Sequence, residues 1–565
     1  MSKIEDAKAL FFDGLNLLDA YNYESAELKF RAALELAPEN TSVLINLSVA
    51  LLEQDKLSES RAFARRAIAI GRDRVDAYFI VAESLAKEKK HEESAQTYAR
   101  LLEVSPDASF AKGYMLRQKM LYCNWNGFDR DVAAINRDVR AGKKSAEPFG
   151  YQVVAKCPRD LMACARIFAA EYFPGRSPGP PTPVRLANGK IRVGYLSGEF
   201  RAQATSILMA ELFELHDKDR FELFAFDNGW DDASELRTRI NNAFDAVIDI
   251  SRLGDSEAAE IIRRNRIAIL VNLNGYFGKA RMGVFSHKPA PIQVNYLGFP
   301  GTLGADYIDY IIADAHVIPP EEKVFYVEKV VYLPDTYQAN DSKRSIAART
   351  PTRAEVNLPP TGFVFCCFNS TYKIVPEIFD IWMRLLKGID GSVMWLFESN
   401  AEVAGNLRSE AVRRGVAAER LVFAPLVALP DHLARHRLAD LFLDTLPYNA
   451  HTTASDALWA GLPVLTCLGS TFPGRVAGSL LNALRMPELV VESLEEYESL
   501  AARLARDAAL LASIKAKLAR NRDTCPLFDG VRFARHIEAA YGTMWERYRR
   551  GEPPESFAVE PDRAG

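Results

Sequence analysis

Small and apolar residues recur along the first part of the chain with a period of about 34 residues and a helical spacing inside each period. The aligned positions are Ala26, Ser60 and Ser94; Phe30, Ala64 and Tyr98; and Ala33, Ala67 and Leu101. Pro38 and Pro106 stand two periods apart, with Arg72 at the place between them. This pattern predicts helix pairs that cross at a small residue, each pair closed by a proline or by a softer boundary.

A repeat of about 34 residues built from helix pairs is typical of the tetratricopeptide repeat (TPR), so we expect three TPR units within residues 1–108. Residues 109–183 are expected to form a helical connector that ends in a linker, because 173–183 is rich in proline and glycine. TPR arrays bind peptides or proteins. Three units give a short concave face, so partner capture, dimerisation and docking onto the rest of the chain remain open.

Beyond the linker, short β-branched runs alternate with helical segments, which predicts parallel sheets covered by helices. The predicted strands are 191–197, 221–226, 268–275, 292–298 and 310–314, then 363–369, 393–398, 421–425, 441–445 and 463–467. A polar, proline-broken stretch at 335–361 separates the two sets, so we predict two lobes, 184–345 and 346–565. Such sheets hold ligands at the carboxyl ends of their strands, in the cleft between the lobes.

Composition and charge exclude several classes of partner. Apolar residues make up 48% of the chain, and the net charge of -4 gives no electrostatic reason to expect nucleic acid or an anionic membrane. The first residues lack the basic and apolar regions of a signal peptide, and no apolar run reaches the ~18 residues of a membrane span. The 7 cysteines form no C-x-x-C pair, which fits a reducing compartment and predicts a cytoplasmic location.

The run LDTLPYNAHTTASDALWAGLPVLT, residues 443–466, carries the strongest chemical signal, because a strand ends in a polar turn and a helix begins near Thr452. The N–H groups and dipole at a helix start attract an anion, and the hydroxyls of Thr452 and Thr453 suit a diphosphate. Asp456 lies one turn on, where it can accept hydrogen bonds from ribose hydroxyls. The competing interpretation is that Thr452 only caps the helix and Asp456 only complements its dipole.

This run resembles the catalytic region of the O-GlcNAc transferase and SPINDLY-like family. The resemblance extends in the family's order to PAPIQVNYLGFPGTLGADYIDY (289–310), FYVEKVVYLP (325–334), FNSTYKI (368–374) and GRVAGSLL (474–481). TPR repeats precede this region in the family, as they are predicted to do here. The resemblance implies the GT-B fold, in which two Rossmann-like α/β lobes follow an all-α TPR domain.

The resemblance implies a set of residues around the donor phosphates. Lys373 matches the family lysine that contacts them, where an ammonium offsets the charge of the departing nucleotide. His451, Thr452 and Thr453 match the family's phosphate-binding H-T-T sequence. The further donor-binding positions that we carry over are Asn369, Ser370, Val427 and Arg435.

Two other parts of the donor have matching positions in this chain. Asp456 corresponds to the family's ribose contact and His432 to the histidine beside the uracil. Gly301 and Thr302 belong to a glycine turn that lines the sugar pocket, where the missing side chain of Gly301 would let the backbone approach the ligand.

Departures from the family bear on mechanism. Gln203, in GEFRAQATS (198–206), stands where the family commonly carries histidine, so a histidine general base is lost there. Gln203 can still hydrogen-bond a sugar or an acceptor, and we retain it as a candidate catalytic-site residue. Leu429 replaces a base-contacting lysine of the animal enzymes, and Ser370 replaces a glutamine, so the preferred donor stays open.

Metal chemistry is not expected. No D-x-D motif stands where a nucleotide-sugar metal would need it, and Asp231 and Asp232 are typical of a solvated turn. His432 and His436 have the spacing of a zinc pair, but the sequence offers no obvious third ligand. We therefore expect no cofactor beyond the UDP-sugar donor.

The resemblance implies an inverting, single-displacement transfer of GlcNAc from UDP-GlcNAc to Ser or Thr of protein acceptors. The proton would go to a donor phosphate oxygen or to water. Two alternatives remain open: an N-glucosyl or O-fucosyl transferase on the same scaffold, and a TPR adaptor with a degenerate catalytic region, as Gln203 and Leu429 suggest.

Overall fold

A computed structural model of the protein describes residues 3–176 and 189–562; the predicted lobe boundary at 184 and most of the predicted linker lie outside these ranges. The helices that precede the sheets are α1 Lys3–Asp19, α2 Tyr23–Leu36, α3 Thr41–Glu53, α4 Leu57–Ile70, α5 Val75–Lys87, α6 His91–Val104, α7 Ala111–Leu121, α8 Phe128–Arg140, α9 Pro148–Tyr151 and α10 Pro158–Tyr172. Among the helices of the described ranges, none has the length and apolar character needed to cross a membrane.

The two sheets and their helices follow in chain order. The first set is β1 Ile191–Ser197, α11 Ala204–Leu215, β2 Phe221–Asp227, α12 Glu235–Ala243, β3 Ala246–Asp249, α13 Asp255–Arg264, β4 Ile269–Asn272, α14 Met282–Ser286, β5 Ile292–Asn295, β6 Tyr310–Asp314 and β7 Lys329–Leu333. The second set is β8 Val364–Cys367, α15 Pro376–Gly388, β9 Val393–Phe397, α16 Ala401–Arg413, β10 Leu421–Ala424, α17 Leu429–Arg435, β11 Leu441–Leu443, α18 Thr452–Trp459, β12 Val464–Cys467, α19 Val476–Ala483, β13 Val490–Val491, α20 Leu494–Arg506 and α21 Ala508–Arg522. The last two elements are α22 Gly530–Arg549 and β14 Phe557–Ala558.

Helices α1 to α6 form the three predicted pairs, and their crossings repeat with the predicted spacing. The Ser60 hydroxyl donates to the Ser48 carbonyl, and the Ser94 hydroxyl donates to the Ala82 carbonyl, both at 2.7 Å. In the first pair, Gly14 stands at the place that Ser48 and Ala82 hold in the other two, and a Cβ on Gly14 would lie 2.5 Å from the Phe30 ring. The small residues are therefore required by close helix approach, and the repeat is confirmed as a packing repeat.

Helices α7 to α10 form the connector, which contacts both lobes. The Trp125 ring packs against Phe379 of α15 at 5.2 Å between ring centroids. On the other lobe, the Tyr307 hydroxyl donates to the Phe173 carbonyl at 3.0 Å. The Thr371 hydroxyl, two residues before Lys373, donates to the carbonyl of Leu121 at 3.3 Å. The connector thus braces the loop that carries Lys373.

Both sheets are parallel. The first has the strand order β14-β7-β6-β5-β4-β1-β2-β3, and the second has the order β10-β9-β8-β11-β12-β13. Every predicted strand is present, and β1 and β6 have the predicted limits. Strands β3, β7, β13 and β14 were not among the predicted strands. Buried aromatic and aliphatic side chains fill both sheet–helix interfaces, with Trp382 and Trp395 the largest in the second lobe.

The chain returns to the first sheet after completing the second. Strand β14 pairs with β7, with Phe557 opposite Val331. Helix α22 covers this sheet: its Glu538 side chain meets the His216 ring at 3.1 Å, and its Tyr541 hydroxyl meets the Tyr195 hydroxyl at 3.1 Å. The division between 345 and 346 stays a prediction, and segment 530–558 packs on the first sheet although it follows that division.

Candidate active site

The residues with predicted chemistry lie in loops at the carboxyl ends of parallel strands. In the second lobe these loops follow β8, β10 and β11, and in the first lobe they follow β1 and β5. The segment between the two lobes, residues 335–361, is called the inter-lobe segment. It reaches the same region, where the Gln338 side chain donates to the Ser455 hydroxyl of α18 at 2.6 Å. The candidate site therefore lies where loops of both lobes and the inter-lobe segment meet.

Helix α18 begins at Thr452, as predicted. Its N-cap is His451, whose side chain makes no capping hydrogen bond, so Thr452 is not the cap of this helix. The Thr453 hydroxyl donates to the Asn369 side-chain oxygen, and the Asn369 amide donates to the Thr445 hydroxyl at 2.8 Å. Two predicted donor-binding residues, Asn369 and Thr453, are thus assembled with helix N–H groups that no cap side chain occupies.

Lys373 is buried beside this helix start. Its Nζ donates to the Asn449 carbonyl at 2.9 Å and lies 4.1 Å from the centroid of the Tyr448 ring. Burial lowers the pKa of Lys373 to about 8, and the carboxylate of Asp444 acts in the opposite direction. A carbonyl and a ring face hold this ammonium, and its charge is available to an incoming phosphate. Ser370 lies exposed at the start of the same turn.

Asp444 shapes the loop between β11 and α18. Its carboxylate accepts from the backbone N–H of Thr445 at 2.7 Å, from the N–H of Ala450 at 2.6 Å and from the Thr466 hydroxyl at 2.6 Å. Burial raises the pKa of Asp444 to about 6. Because these bonds fix both ends of segment 445–450, Asp444 positions the Asn449 carbonyl that Lys373 binds.

His451 is held as a neutral ring. Its Nε2 contacts the Pro473 carbonyl at 3.1 Å, and its ring stacks on Tyr448 at 4.8 Å between ring centroids. A carbonyl only accepts hydrogen bonds, so Nε2 carries the proton and Nδ1 is left as an acceptor. Burial and the nearby Lys373 both hold the pKa of His451 well below its usual range.

His432 and Arg435 form a second cluster on α17. Arg435 donates to Nδ1 of His432 and to the Pro425 carbonyl, the latter at 2.6 Å, and its guanidinium lies 4.6 Å from the centroid of Phe368. Burial lowers the pKa of His432 to about 2. The neutral ring therefore carries its proton on Nε2, from which it can donate a hydrogen bond to a nucleobase. Val427 is 38% exposed in the preceding loop.

Asp456 is buried and paired. Its Oδ1 accepts from Nη1 of Arg344 at 2.6 Å, across the boundary between α18 and the inter-lobe segment. Burial raises the pKa of Asp456 to about 6, and Arg344 opposes the rise. The sequence motif that contains Asp456 does not include its cation partner, Arg344.

The glycine turn of the first lobe is packed against the connector. A Cβ on Gly301 would lie 2.7 Å from the side-chain nitrogen of Gln152, whose amide donates to the Pro300 carbonyl at 3.1 Å. The space beside Gly301 is therefore filled by a connector side chain. Thr302 donates to the Glu328 carboxylate at 2.6 Å, so its hydroxyl proton is engaged within the protein.

Gln203 lies at the N-cap of α11, and its contacts are local. Its backbone N–H donates to the Arg201 carbonyl at 2.6 Å, and its side chain makes no capping bond. Close by, Arg201 pairs with Glu199 at 2.7 Å and lies over the Trp230 ring at 3.8 Å. Burial raises the pKa of Glu199. This carboxyl was not among the predicted residues.

In residues 3–176 and 189–562 there is no group of three or more His, Cys, Asp or Glu side chains placed to hold a metal ion. The predicted zinc-like pair has other contacts: the His436 Nδ1 donates to the His432 carbonyl at 2.7 Å, and the two rings pack edge to face.

Several residues of the site were missed by sequence reasoning: Gln152, Glu199, Arg344, Asp444 and Tyr448. Only Asp444 carried a usable signal, since an acidic residue directly after a buried strand at a predicted ligand edge is a candidate on its own. Gln152 and Arg344 act through partners that are distant in the chain.

The chain matches two known families by sequence. The profile described as glycosyl transferase family 41 matches residues 180–350 and 340–537, and a tetratricopeptide repeat profile matches residues 17–80. The probable UDP-N-acetylglucosamine–peptide N-acetylglucosaminyltransferase SEC of Arabidopsis thaliana is 36% identical over 423 residues, covering 73% of this chain and 43% of its own length. The probable enzyme of the same type named SPINDLY in Oryza sativa is 30% identical, covering 66% and 40%. The chain thus spans less than half the length of these curated relatives.

A solved structure matches nearly the whole chain. A mutant of the Thermobaculum terrenum O-GlcNAc transferase superposes with a TM-score of 0.72 at 26% identity, covering 98% of this chain and 99% of that one. Together with the TPR match, this confirms the predicted GT-B fold behind an amino-terminal TPR array.

Proposed function

Because the chain belongs to glycosyl transferase family 41, we propose that it moves N-acetylglucosamine from UDP-N-acetylglucosamine to serine or threonine hydroxyls of protein acceptors, with inversion at the anomeric carbon. The names of the Arabidopsis relative and the Thermobaculum neighbour support this donor and this class of acceptor. The TPR array gives such an enzyme a surface for protein partners.

The observation that carries the proposal is the placement of Lys373. A buried ammonium meets the start of α18 and is anchored by the Asn449 carbonyl at 2.9 Å. A cation next to free helix N–H groups and the Thr452 hydroxyl is suited to a diphosphate leaving group. In this proposal Thr452, Thr453 and Lys373 hold the two phosphates.

The other donor-binding residues orient the nucleotide. His432 donates from Nε2 to the uracil, with Arg435 fixing its ring and Val427 covering the base. Asp456 accepts from a ribose hydroxyl. The glycine turn with Gly301 and Thr302 lines the sugar pocket, and its shape is held by contacts to the connector and to Glu328.

Transfer then proceeds by one displacement. The acceptor oxygen attacks the anomeric carbon from the face opposite UDP, and the bond from that carbon to the β-phosphate oxygen breaks. The electron pair of this bond stays on UDP, where Lys373 and the helix start stabilise the charge. The acceptor proton passes to a donor phosphate oxygen or to water, and Gln203 contributes hydrogen bonds only.

We also propose that transfer needs no metal ion, since Lys373 and α18 supply the positive charge that a metal would supply. Activity should then persist in excess EDTA, with Mg²⁺ added back as the comparison. A loss in EDTA that Mg²⁺ restores would contradict metal independence while leaving the transferase proposal in place.

A cytoplasmic location is proposed from the cysteines, all 7 of which are unpaired thiols. Fractionation of the source cells tests it. A homodimer stays a prediction, which light scattering on the purified protein tests.

The decisive experiment supplies purified protein and a cell lysate with labelled UDP-GlcNAc, UDP-glucose or GDP-fucose. The proposal expects protein labelling from UDP-GlcNAc that β-elimination releases, because an O-linked sugar leaves under mild base and an N-linked sugar does not. Labelling from GDP-fucose would replace the proposal with an O-fucosyl transferase. Base-stable labelling from UDP-glucose would replace it with an N-glucosyl transferase. Donor binding without any transfer or hydrolysis would favour an adaptor.

A further inference from the structure

We propose that Arg344 is a positioning residue for the donor ribose, acting by holding the Asp456 carboxylate in place to accept a ribose hydroxyl. The inference rests on the proposed function, since it takes the donor to be a uridine nucleotide. It assigns a role to the inter-lobe segment, a part of the chain that the donor-binding motifs do not include.

The ion pair is enclosed. Arg344 is 7% exposed and Asp456 is 5% exposed, and the Nη1 to Oδ1 distance is 2.6 Å. A single carboxylate left in such a place would be strongly penalised by desolvation. Arg344 supplies both the counter-charge and a charge-assisted hydrogen bond.

Arg344 is itself held from three sides. Its Nε donates to the Asp341 carbonyl at 2.9 Å, its own carbonyl accepts from the Trp459 indole at 3.1 Å, and its guanidinium lies 5.8 Å from the centroid of the Trp459 ring. A guanidinium fixed in this way defines the direction in which the Asp456 carboxylate points.

One donor of Arg344 is left over. Its Nη2 is buried and has no hydrogen-bond partner in the described part of the chain. Buried polar groups in native proteins are nearly always satisfied. This unpaired donor shares its guanidinium carbon with the Nη1 that contacts Asp456, and it is the group that a bound hydroxyl, or a water bridging to it, would satisfy.

The segment that carries Arg344 is anchored on the first lobe. Asp341 accepts from Arg239 of α12, and the Ser342 N–H and hydroxyl donate to Glu211 of α11 at 2.6 and 3.0 Å. Arg344 therefore joins the donor helix α18 to the helix whose N-cap is Gln203. The ribose contact is set by the first lobe as well as by the second.

The pH dependence of ribose recognition distinguishes this role of Arg344 from a role in packing alone, because it follows the ionisation of Asp456. Burial raises the pKa of Asp456 to about 6, and Arg344 is the charged group that opposes the rise. Removal of Arg344 therefore moves the pKa further up, so more of the carboxyl is neutral at pH 7 and fewer acceptor sites face the ribose.

The test compares UDP, 2′-deoxy-UDP and 3′-deoxy-UDP binding by calorimetry to the full chain. Three single variants are compared: Arg344→Met, Arg344→Lys and Asp456→Asn. A double variant combines Arg344→Met with Asp456→Asn. The matched control is Arg237→Met, which removes a buried pair with Asp227 at 2.6 Å in the first lobe. Circular dichroism reports whether each variant is folded.

The wild type should prefer UDP over one of the deoxy nucleotides by about tenfold, the effect of one good hydrogen bond. Arg344→Met should reduce this preference to about twofold and move its pH midpoint upward, with Arg344→Lys in between. Asp456→Asn should remove the preference, and adding Arg344→Met should change it no further. Arg237→Met should keep the preference of the wild type.

The inference is overturned if Arg344→Met keeps the wild-type preference while Asp456→Asn loses it, or if Asp456→Asn keeps it. If Arg344→Met does not fold, the preference and pH midpoint of Arg344→Lys decide. Failure of the proposed function has a different signature, because the wild type would then bind none of the three nucleotides.

Discussion

The Nζ atom of Lys373 lies 4.1 Å from the centroid of the Tyr448 ring, and the same ring stacks with that of His451 at 4.8 Å between ring centroids. Tyr448 thus joins the two basic residues of the proposed phosphate site. It is 4% exposed, so the cation–π contact is shielded from water. Tyr448, in the loop from β11 to α18, therefore contacts a basic residue of its own loop, His451, and one of the loop after β8, Lys373.

Replacing Lys373 tests the leaving-group role. Lys373→Ala should lower kcat by about 100-fold or more, as loss of a group that stabilises developing charge does. UDP affinity should fall by a smaller factor. Steady-state rates and calorimetry measure the two effects. A variant that kept most of the transfer rate at unchanged nucleotide affinity would exclude the role.

The pH dependence should show the Lys373 ammonium. Its pKa of about 8 means that the free enzyme loses this charge as the pH rises through 8, so kcat/KM should fall on the alkaline side. The groups that face it are Asp444, Cys367 and His451. Lys373→Arg should move this limb to higher pH because a guanidinium stays charged. An unmoved limb would assign it to another group.

Asp444→Asn should destabilise the second lobe. The amide cannot accept all three hydrogen bonds and places an NH₂ group against N–H donors, which costs about 2–4 kcal/mol. Urea unfolding measures this. Asp249→Asn, at an exposed carboxylate with one backbone bond, is the control and should cost under about 1 kcal/mol. Equal stability of the two variants would exclude the role given to Asp444.

Gly301→Ala should force the new methyl against Gln152. A Cβ there would lie 2.7 Å from the Gln152 nitrogen inside a packed region, so we expect a loss of about 1–3 kcal/mol and weaker donor binding. Gln152→Ala in the same chain should restore part of the binding by making room. Thermal unfolding and donor KM measure both, and no rescue in the double variant would point to another obstacle.

Gln203→Ala should lower kcat/KM by less than about tenfold and leave the acid side of the pH profile in place, because an amide accepts no proton near neutral pH. Leu208→Val, on the same helix, controls for small packing changes. A loss of 100-fold or a shifted acid limb would mean that Gln203 takes part in proton transfer through a partner.

Prediction from the sequence was accurate where a pattern is local. The buried runs of β1 and β6 gave the right limits because their flanks are polar or glycine-rich. Strand β3 was missed because only alternate residues of Ala246–Asp249 are partly buried and the strand lies at the sheet edge. Strand β14 was missed because its two residues depend on a partner far away in the chain.

The same limit applied to the site. Asn369 and Thr453 were both expected at the donor, and the structure joins them by a hydrogen bond. The pairing of Arg344 with Asp456 spans 112 positions, and that of Gln152 with Pro300 spans 148. No periodicity or motif in one sequence encodes such contacts, since they depend on how the lobes and connector assemble.

The pairing of β14 with β7 has a consequence for biosynthesis. Phe557 pairs with Val331, and the second lobe lies between them in the chain, so the β7 edge of the first sheet stays unpaired on the ribosome until residues 557–558 have emerged. Helix α22, which covers the Tyr195 face, is also late. The nascent first lobe therefore matures only after the second lobe has been synthesised, and an interrupted chain would present an unpaired strand edge to chaperones and proteases.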